Sequence, residues 1–293
     1  MLNPQVATEL APQPNYTARS LTTVAVASGK GGVGKTNISL NVSIALAHAG
    51  RKVLLMDADL GLANIDVLLG LHPKFNLAHV LDGKCTLDEA MLTGPGGIKL
   101  IPASSGLSHM AQLSESEHAG IIHLFSQLDT DIDTMLIDTG AGIADNVVTF
   151  CKAAQEVIIV VCDEPTSIAD AYALIKVLRS NHDVRAFNII VNMVKDRQHG
   201  LRVHAALAQV TDRFLDVDLR LLGCVPNDSY VRKAVRAQKA VLERHPLSAA
   251  SLALRAIARR ISDWEIPQSA NGHLQFFVER LLQNANRSEP HDN

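Results

Sequence analysis

Metal-binding and disulfide patterns are missing from this sequence. Its four cysteines form no C-x-x-C pair, and its twelve histidines show no H-x-x-x-H spacing. These gaps exclude a zinc ribbon, an iron–sulfur cluster and a disulfide framework. We therefore expect a chain that works in a reducing cytoplasm and has no structural metal site of its own.

Long apolar runs and a strong charge of one sign are also missing. No apolar run is long enough to span a bilayer, and no basic region followed by an apolar segment opens the chain, so we expect a soluble protein that is not exported. A formal net charge of −3 provides no general attraction to nucleic acid. We expect no direct nucleic-acid partner.

What the sequence does contain is an apolar strand, a glycine-rich turn and a helix in direct succession. The strand is Val24–Ser28, the turn is Gly29–Thr36, and an amphipathic helical pattern continues to Gly50. This order points backbone N–H groups and a helix N-terminus at a phosphate chain.

Two phosphate motifs overlap in this turn. Gly29-x-Gly31-x-x-Gly34, followed by Asp57, satisfies the dinucleotide fingerprint, and Gly29-x-x-x-x-Gly34-Lys35-Thr36 satisfies the P-loop. A dinucleotide has no terminal phosphate for the lysine and needs no hydroxyl on a metal. The Lys-Thr pair therefore favours ATP with Mg²⁺.

Strands without polar alternation recur along the chain and are separated mostly by helical patterns. Such strands are typical of a parallel sheet that helices cover on both faces. We predict an α/β fold with a doubly wound, mostly parallel sheet and ligands at the carboxyl ends of the strands. The apolar runs are Lys52–Met56, Ile98–Pro102, Thr134–Asp138, Val157–Cys162, Phe187–Asn192 and Leu221–Pro226.

Polar residues follow several of these runs. Asp138, before a small-residue loop, fits a carboxylate that holds Mg²⁺ through water. Asp57 and Asp59 can serve the metal and the attacking water, or they can cap the next turn. Asn192 and Asp228 can contact a purine edge, or they can cap loops.

The chain divides into one domain with flexible or amphipathic ends. We predict a flexible tail over 1–20, a domain over 21–262, a linker over 263–272, an amphipathic helix over 273–284 and a tail over 285–293. The short helix fits an interfacial membrane helix, and an ordinary helix packed on the core is the alternative. Its apolar face comprises Leu274, Phe277, Val278, Leu281 and Leu282.

A basic helix is predicted over Ser229–Arg244. Its arginines and lysines form either a solvated surface or a docking surface for an acidic partner.

A second lysine, Lys30, stands at the start of the glycine-rich turn. The turn thereby resembles the deviant P-loop of the MinD/ParA family of ATPases, which dimerise face to face around ATP. Asp57–Asn64 resembles the first switch of that family, and Asp138–Gly142 resembles the second. Cys162–Lys176, Asp212–Leu215 and Gly272–Leu281 are similar to the family's flagellar-number regulators.

The resemblance implies a role for each motif residue. Lys30 would reach the phosphates of the partner subunit, Lys35 would bind the β- and γ-phosphates, and Asp59 would orient the water. Asn64 and Gly142 would belong to the switches. The backbone of Gly31, Gly32, Val33 and Gly34 would hold the phosphates. Thr36, Asp57 and Asp138 would bind the metal. Asn192 and Asp228 would bind adenine. One departure is Gly140, where MinD has proline, and it makes the second switch more flexible.

The resemblance also implies a cycle and partners. ATP would stabilise a homodimer that presents two C-terminal helices to an anionic membrane surface, and slow, partner-stimulated hydrolysis would reverse both steps. The protein would be cytoplasmic, and peripheral on the inner membrane when ATP is bound. Implied partners are the flagellar GTPase FlhF, the switch proteins FliM or FliN, and the transcription activator FlrA/FleQ, for which the basic helix is a candidate surface.

The implied function is control of flagellar number and placement. The alternatives are a MinD-type cell-division positioner and, on the same fold, a metabolic enzyme or cluster carrier.

Overall fold

An eight-stranded sheet runs through the part of the chain that the computed structural model describes, which is residues 21–59, 65–76, 79–80, 83–102 and 132–264. The apolar runs of the sequence form its central strands. In chain order the strands are β1 (Thr22–Ser28), β2 (Val53–Ala58), β3 (Leu92–Thr93), β4 (Lys99–Ile101), β5 (Thr134–Ala141), β6 (Glu156–Val161), β7 (Ala186–Val194) and β8 (Asp218–Pro226).

The strand order is β3-β4-β2-β5-β1-β6-β7-β8. All neighbouring pairs are parallel except the short edge pair β3–β4, which is antiparallel. This arrangement confirms the predicted doubly wound α/β fold. Parallel neighbours also bring the carboxyl ends of β1, β2, β5 and β7 to one edge, where ligands bind in such sheets.

Helices pack on both faces of the sheet, and a 3₁₀ turn occupies Pro95–Gly97. The described α-helices are α1 (Lys35–His48), α2 (Ile65–Leu69), α3 (Leu87–Ala90), α4 (Asp145–Ala153), α5 (Pro165–His182), α6 (Arg197–Phe214), α7 (Ser229–Arg236), α8 (Val241–Arg244) and α9 (Ala249–Ser262).

Alternate residues of β1 belong to two different cores. Val24 and Val26 pack with α1 and α9 on one face, and Ala25 and Ala27 pack with α4 and α5 on the other. Because successive strand side chains point to opposite faces, a strand buried on both faces has apolar residues at consecutive positions.

Two helices differ from the sequence prediction. Helix α1 is not amphipathic in its packing, because every residue from Ile38 to Leu46 is buried and α9 covers its outer side. The basic helix predicted over Ser229–Arg244 is divided into α7 and α8. Gln238 lies between them with φ +51°, a left-handed conformation that a continuous helix does not contain.

Several predictions concern segments outside the described residues. These are the tails 1–20 and 285–293, Asn64 of the first switch, most of the linker 263–272, and the amphipathic helix 273–284 with its five apolar residues. The last described helix ends at Ser262, at the predicted end of the domain. In the described part of the chain, no helix has both the length and the apolar character needed to cross a bilayer.

Asn41 links α1 to α8 inside the core. Its side chain is 1% exposed; Oδ1 accepts from Leu242 N at 3.0 Å, and Nδ2 donates to Asn37 O at 2.9 Å. We predict that Asn41→Ala lowers the free energy of unfolding by about 1–3 kcal/mol, because it leaves a buried N–H without an acceptor. Denaturant unfolding measures this loss. The exposed Asn181→Ala in α5 is the control, and an equal, small change in both variants would contradict the prediction.

Candidate functional site

A cleft of about 620 Å³ lies at the carboxyl edge of the sheet, above the glycine-rich turn. Its volume falls within the range of small-molecule sites. Its floor comes from the turn and the start of α1, and its walls come from Asp59 after β2, Leu68 in α2, Ala141 at the end of β5, Met193 in β7 and one side of α7. The lining residues of the turn and α1 are Gly31, Gly32, Gly34, Lys35, Thr36 and Asn37.

Two glycines of the turn are required by close contacts. A Cβ on Gly29 would lie 2.1 Å from the carbonyl carbon of Asp170, because α5 packs directly against the end of β1. Gly34 has φ +88°, and a Cβ there would lie 2.4 Å from Nδ2 of Asn192. The first and last glycines of the motif thus let the turn pack tightly between α5 and β7.

Lys35 and Asp138 form a buried ion pair below the turn. The Lys35 ammonium lies 3.0 Å from Oδ1 of Asp138, and their side chains are 7% and 0% exposed. Ser39, one helical turn after Lys35, donates its hydroxyl to the same oxygen at 2.7 Å. A buried charge is stable only when it is paired, so the carboxylate of β5 and the lysine of α1 hold each other in place.

The oxygen donors here fit Mg²⁺. Oδ2 of Asp138 is buried and has no hydrogen-bond partner among the described residues. Thr36 lines the cleft directly after Lys35, and Asp57 pairs in register with Asp138 across β2 and β5. Carboxylate and hydroxyl oxygens are the protein ligands that Mg²⁺ prefers.

The two aspartates of the first switch have different surroundings. Asp57 is 1% exposed; Oδ1 accepts from Asp59 N at 3.1 Å, and Oδ2 accepts from Ile65 N at 3.2 Å. It thereby fixes both ends of the switch loop, which is the capping role left open by the sequence. Asp59 lines the cleft, and Oδ1 lies 3.8 Å from the position of a Cβ on Gly140. The two switches therefore lie next to each other.

The second switch begins in β5 and crosses above β1. Thr139 is buried and donates its hydroxyl to Val26 O at 3.1 Å, and Gly142 N donates to Ser28 O at 2.8 Å. Gly142 has φ +94°, a conformation that favours glycine. The second switch is thus bonded to the strand that precedes the glycine-rich turn.

Lys30 does not line the cleft. Its ammonium donates to Oε2 of Glu164 and, at 2.9 Å, to Oγ1 of Thr166 at the start of α5. The hydrogen bond to Glu164 is the main reason that the pKa of Lys30 is raised above its usual value. In this arrangement Lys30 is held within its own subunit.

Asn192 and Asp228 lie in different environments. Asn192 is buried and donates through Nδ2 to Val33 O at 2.8 Å, so it supports the turn. Asp228 caps α7, since it accepts from Tyr230 N at 2.9 Å and from Ala250 N at 3.1 Å. Partial burial raises the pKa of Asp228, but these two backbone hydrogen bonds, together with the Ser248 side chain and the nearby His245, outweigh burial and lower the pKa. Both side chains therefore have structural contacts, and adenine binding by this pair stays a prediction.

Several residues of this site were not predicted from the sequence. Ser39 shares a helix face with Lys35 at i+4, and that spacing could have identified it. Glu164 and Thr166 follow β6, which pairs with β1 in the sheet. The sequence predicts no strand order, so it gives no signal that these residues lie beside Lys30. Arg232 and Arg236 were assigned to a general basic surface, although they share one helix face.

Comparisons with known proteins bear on this site. A ParA family model, described as the NUBPL iron-transfer P-loop NTPase, matches residues 20–262. The chain is 54% identical over 260 residues to the antiactivator FleN of Pseudomonas aeruginosa, covering 89% of this chain and 93% of that protein. It is 34% identical over 266 residues to the flagellum site-determining protein YlxH of Helicobacter pylori, covering 88% and 89%.

Solved structures share the fold. The cell-division protein MinD of Aquifex aeolicus superimposes with a TM-score of 0.66 at 27% identity, covering 85% of this chain and 99% of that one. MinD of Pyrococcus horikoshii, solved with Mg-ADP, has a TM-score of 0.65 at 24% identity and covers 83% and 96%.

The contact between Lys30 and Glu164 can be tested by titration. We predict that Glu164→Gln lowers the pKa of Lys30, because it removes the carboxylate that favours the charged ammonium. NMR titration of the Lys30 side chain at alkaline pH measures this change. Asp170→Asn is the control, since Asp170 raises the same pKa only through space. A Lys30 pKa that moves no further in Glu164→Gln than in the control would contradict the contact.

Proposed function

We propose a function from the premise that this chain belongs to the ParA/MinD family of P-loop NTPases: it is an ATP-dependent switch that controls the number and placement of flagella. The observation that carries this proposal is the 54% identity to an antiactivator named FleN, which extends over 89% of this chain. The second flagellar relative, YlxH, supports the same assignment at lower identity.

The proposed ligand is ATP with Mg²⁺. The backbone of Gly31–Gly34 would cradle the phosphates, and Lys35 would bind the β- and γ-phosphates. Thr36 and Asp138 would hold Mg²⁺, with Asp57 supporting the metal shell, and the metal would neutralise phosphate charge during transfer. The buried Asp138 oxygen without a hydrogen-bond partner supports this assignment.

The proposed reaction is slow, partner-stimulated hydrolysis of ATP to ADP and phosphate. Asp59, which lines the cleft, would orient the attacking water and accept a hydrogen bond from it. Lys30 would leave Glu164 and contact the phosphates bound by a second copy of the chain. ATP would therefore stabilise a homodimer in which each site contains a residue from both subunits.

The proposed outputs of this dimer are membrane attachment and partner binding. Two C-terminal helices on one dimer would bind an anionic membrane more firmly than one short helix, so attachment would follow the ATP state. The proposed site of action is the cytoplasmic face of the inner membrane. The name of the relative FleN, an antiactivator, supports a transcription activator of the FlrA/FleQ type as one partner. FlhF and FliM or FliN are proposed as further partners.

Two other functions on this fold are less well supported. A MinD-type cell-division positioner is the nearer one, and the MinD structure from Aquifex favours it at 27% identity. An iron-transfer protein is suggested by the description of the matching family model. Against iron transfer, the chain has no C-x-x-C pair for a cluster. Against the cell-division function, its sequence identity to FleN is 54%, whereas its identity to the Aquifex MinD is 27%.

The proposed function can be tested in a strain from which the gene has been deleted. We predict extra flagella per cell, restoration of the normal number by the wild-type gene, and no restoration by Lys35→Ala, because the variant loses its main phosphate ligand and leaves the buried Asp138 carboxylate unpaired. Counts of flagella by electron microscopy measure the outcome. Lys52→Ala, outside the cleft, is the matched control and should restore the number. Minicells with a normal flagellar number would instead support the cell-division function.

Membrane attachment can be tested separately. We predict that removal of residues 272–293 leaves ATP binding intact and abolishes sedimentation with liposomes that contain anionic lipid, because the predicted apolar helix is lost. Replacement of Phe277 and Leu281 by Ser in the full chain should have the same effect and serves as the companion variant. A truncated protein that sediments as well as wild type would show that the membrane helix was misassigned.

A further inference from the structure

Two basic side chains of α7 line the proposed nucleotide cleft. Arg232 and Arg236 line the same cleft as the glycine-rich turn, together with Val231 and Val235. Residues four apart lie on one face of a helix, so both guanidinium groups are directed to the same side of α7. The only fully buried side chain of α7 is Ala234. Both arginines therefore contribute to the cleft without holding the helix to the core.

Among the described residues of the site, these two arginines are positively charged side chains that form no ion pair with a carboxylate. Lys35 is paired with Asp138, and Lys30 is paired with Glu164. Among the described residues, Arg232 and Arg236 have no ion-pair partner within 4.0 Å, unlike Arg179, Arg185 and Arg220. Two unpaired guanidinium groups at the wall of a cleft raise the local concentration of anions and suit phosphate oxygens.

Arg232 also joins the cleft to a second cavity. This cavity, about 560 Å³, is lined by Asn227, Asp228, Tyr230 and Leu247 as well as Arg232. A nucleotide whose phosphates occupy the turn and whose base extends toward Asp228 would pass Arg232. The shared lining places Arg232 between the two ends of such a ligand.

We propose that Arg232 and Arg236 are nucleotide-binding residues, whose guanidinium groups contact the phosphates of the nucleotide held by the turn of the same subunit. This inference rests on the proposed ATP site and adds two ligands to it. It also changes the assignment of the basic helix, because two of its five positive side chains then serve the nucleotide instead of a protein partner.

The test compares nucleotide affinities of the full-length chain. Titration calorimetry with ADP and with ATP would be applied to wild type, Arg232→Gln, Arg236→Gln and Lys239→Gln. Lys239→Gln removes the same charge from an exposed position that does not line the cleft. ADP is included because the proposed dimer forms only with ATP, so ADP affinity reports contacts within one subunit.

We expect each arginine variant to bind both nucleotides about 10- to 100-fold more weakly, which is the usual loss for a hydrogen bond to a charged group. Lys239→Gln should stay within about twofold of wild type, since exposed charges act weakly through solvent. Arg236→Lys, which keeps the charge but not the planar fork, should recover part of the loss. Unchanged thermal unfolding without nucleotide would show that the variants are folded.

Three results would overturn the inference. These are affinities for both nucleotides equal to wild type in both arginine variants, an equal loss in Lys239→Gln, and a loss of affinity confined to ATP. The last would place the arginines at the partner's nucleotide instead. Failure of the wild-type protein to bind ATP or ADP would refute the proposed function itself, so the two failures are distinguishable.

Discussion

The buried ion pair between Lys35 and Asp138 is the constraint on which the site depends. Both side chains lie almost fully inside the protein, where an unpaired charge costs several kcal/mol. The pairing fixes the start of α1 against β5, and β1, the neighbour of β5 in the sheet, leads into the turn. A loop that must hold phosphate is thereby attached to two buried elements, α1 and β5.

The Lys35–Asp138 pair also lies beside the starting points of both switches. Asp138 lies in the buried part of β5, which continues through Thr139 and Gly140, and Gly142 bonds back to Ser28. Asp57 lies beside Asp138 in β2 and holds both ends of the first switch loop. Asp138 thus belongs to the second switch and pairs in register with the residue that holds the first switch.

Most of the fold and the centre of the site could be predicted from the sequence, because they depend on local patterns. Unalternated apolar strands predict a parallel sheet, and Gly29–Thr36 predicts a P-loop. The contact between Lys30 and Glu164 joins residues 134 positions apart and depends on how α5 packs against β1. The basic helix is divided at Gln238, whose side chain also donates a hydrogen bond to Val67 O in α2, 171 positions away. No local pattern contains either fact, since both arise from tertiary packing.

Lys30 has two different contacts in the structure and in the proposed mechanism. In the structure it is held by Glu164 and Thr166 of its own subunit, whereas the proposed mechanism needs it at the phosphates of a second subunit. It cannot make both contacts at once, so release of this contact would accompany dimerisation. The glycine-rich turn would then act both as a phosphate site and as a dimer contact.

The most direct measurement is the ATPase rate of mixed variants. Lys30→Ala and Asp59→Ala should each hydrolyse ATP poorly alone, because every site of either homodimer lacks one required group. In an equal mixture, the heterodimer contains one site with Asp59 from one subunit and Lys30 from the other. The proposed mechanism predicts recovery to about a quarter of the wild-type ATPase rate, because half of the dimers are mixed and each mixed dimer has one complete site out of two. A mixture no more active than the average of the two variants would contradict it.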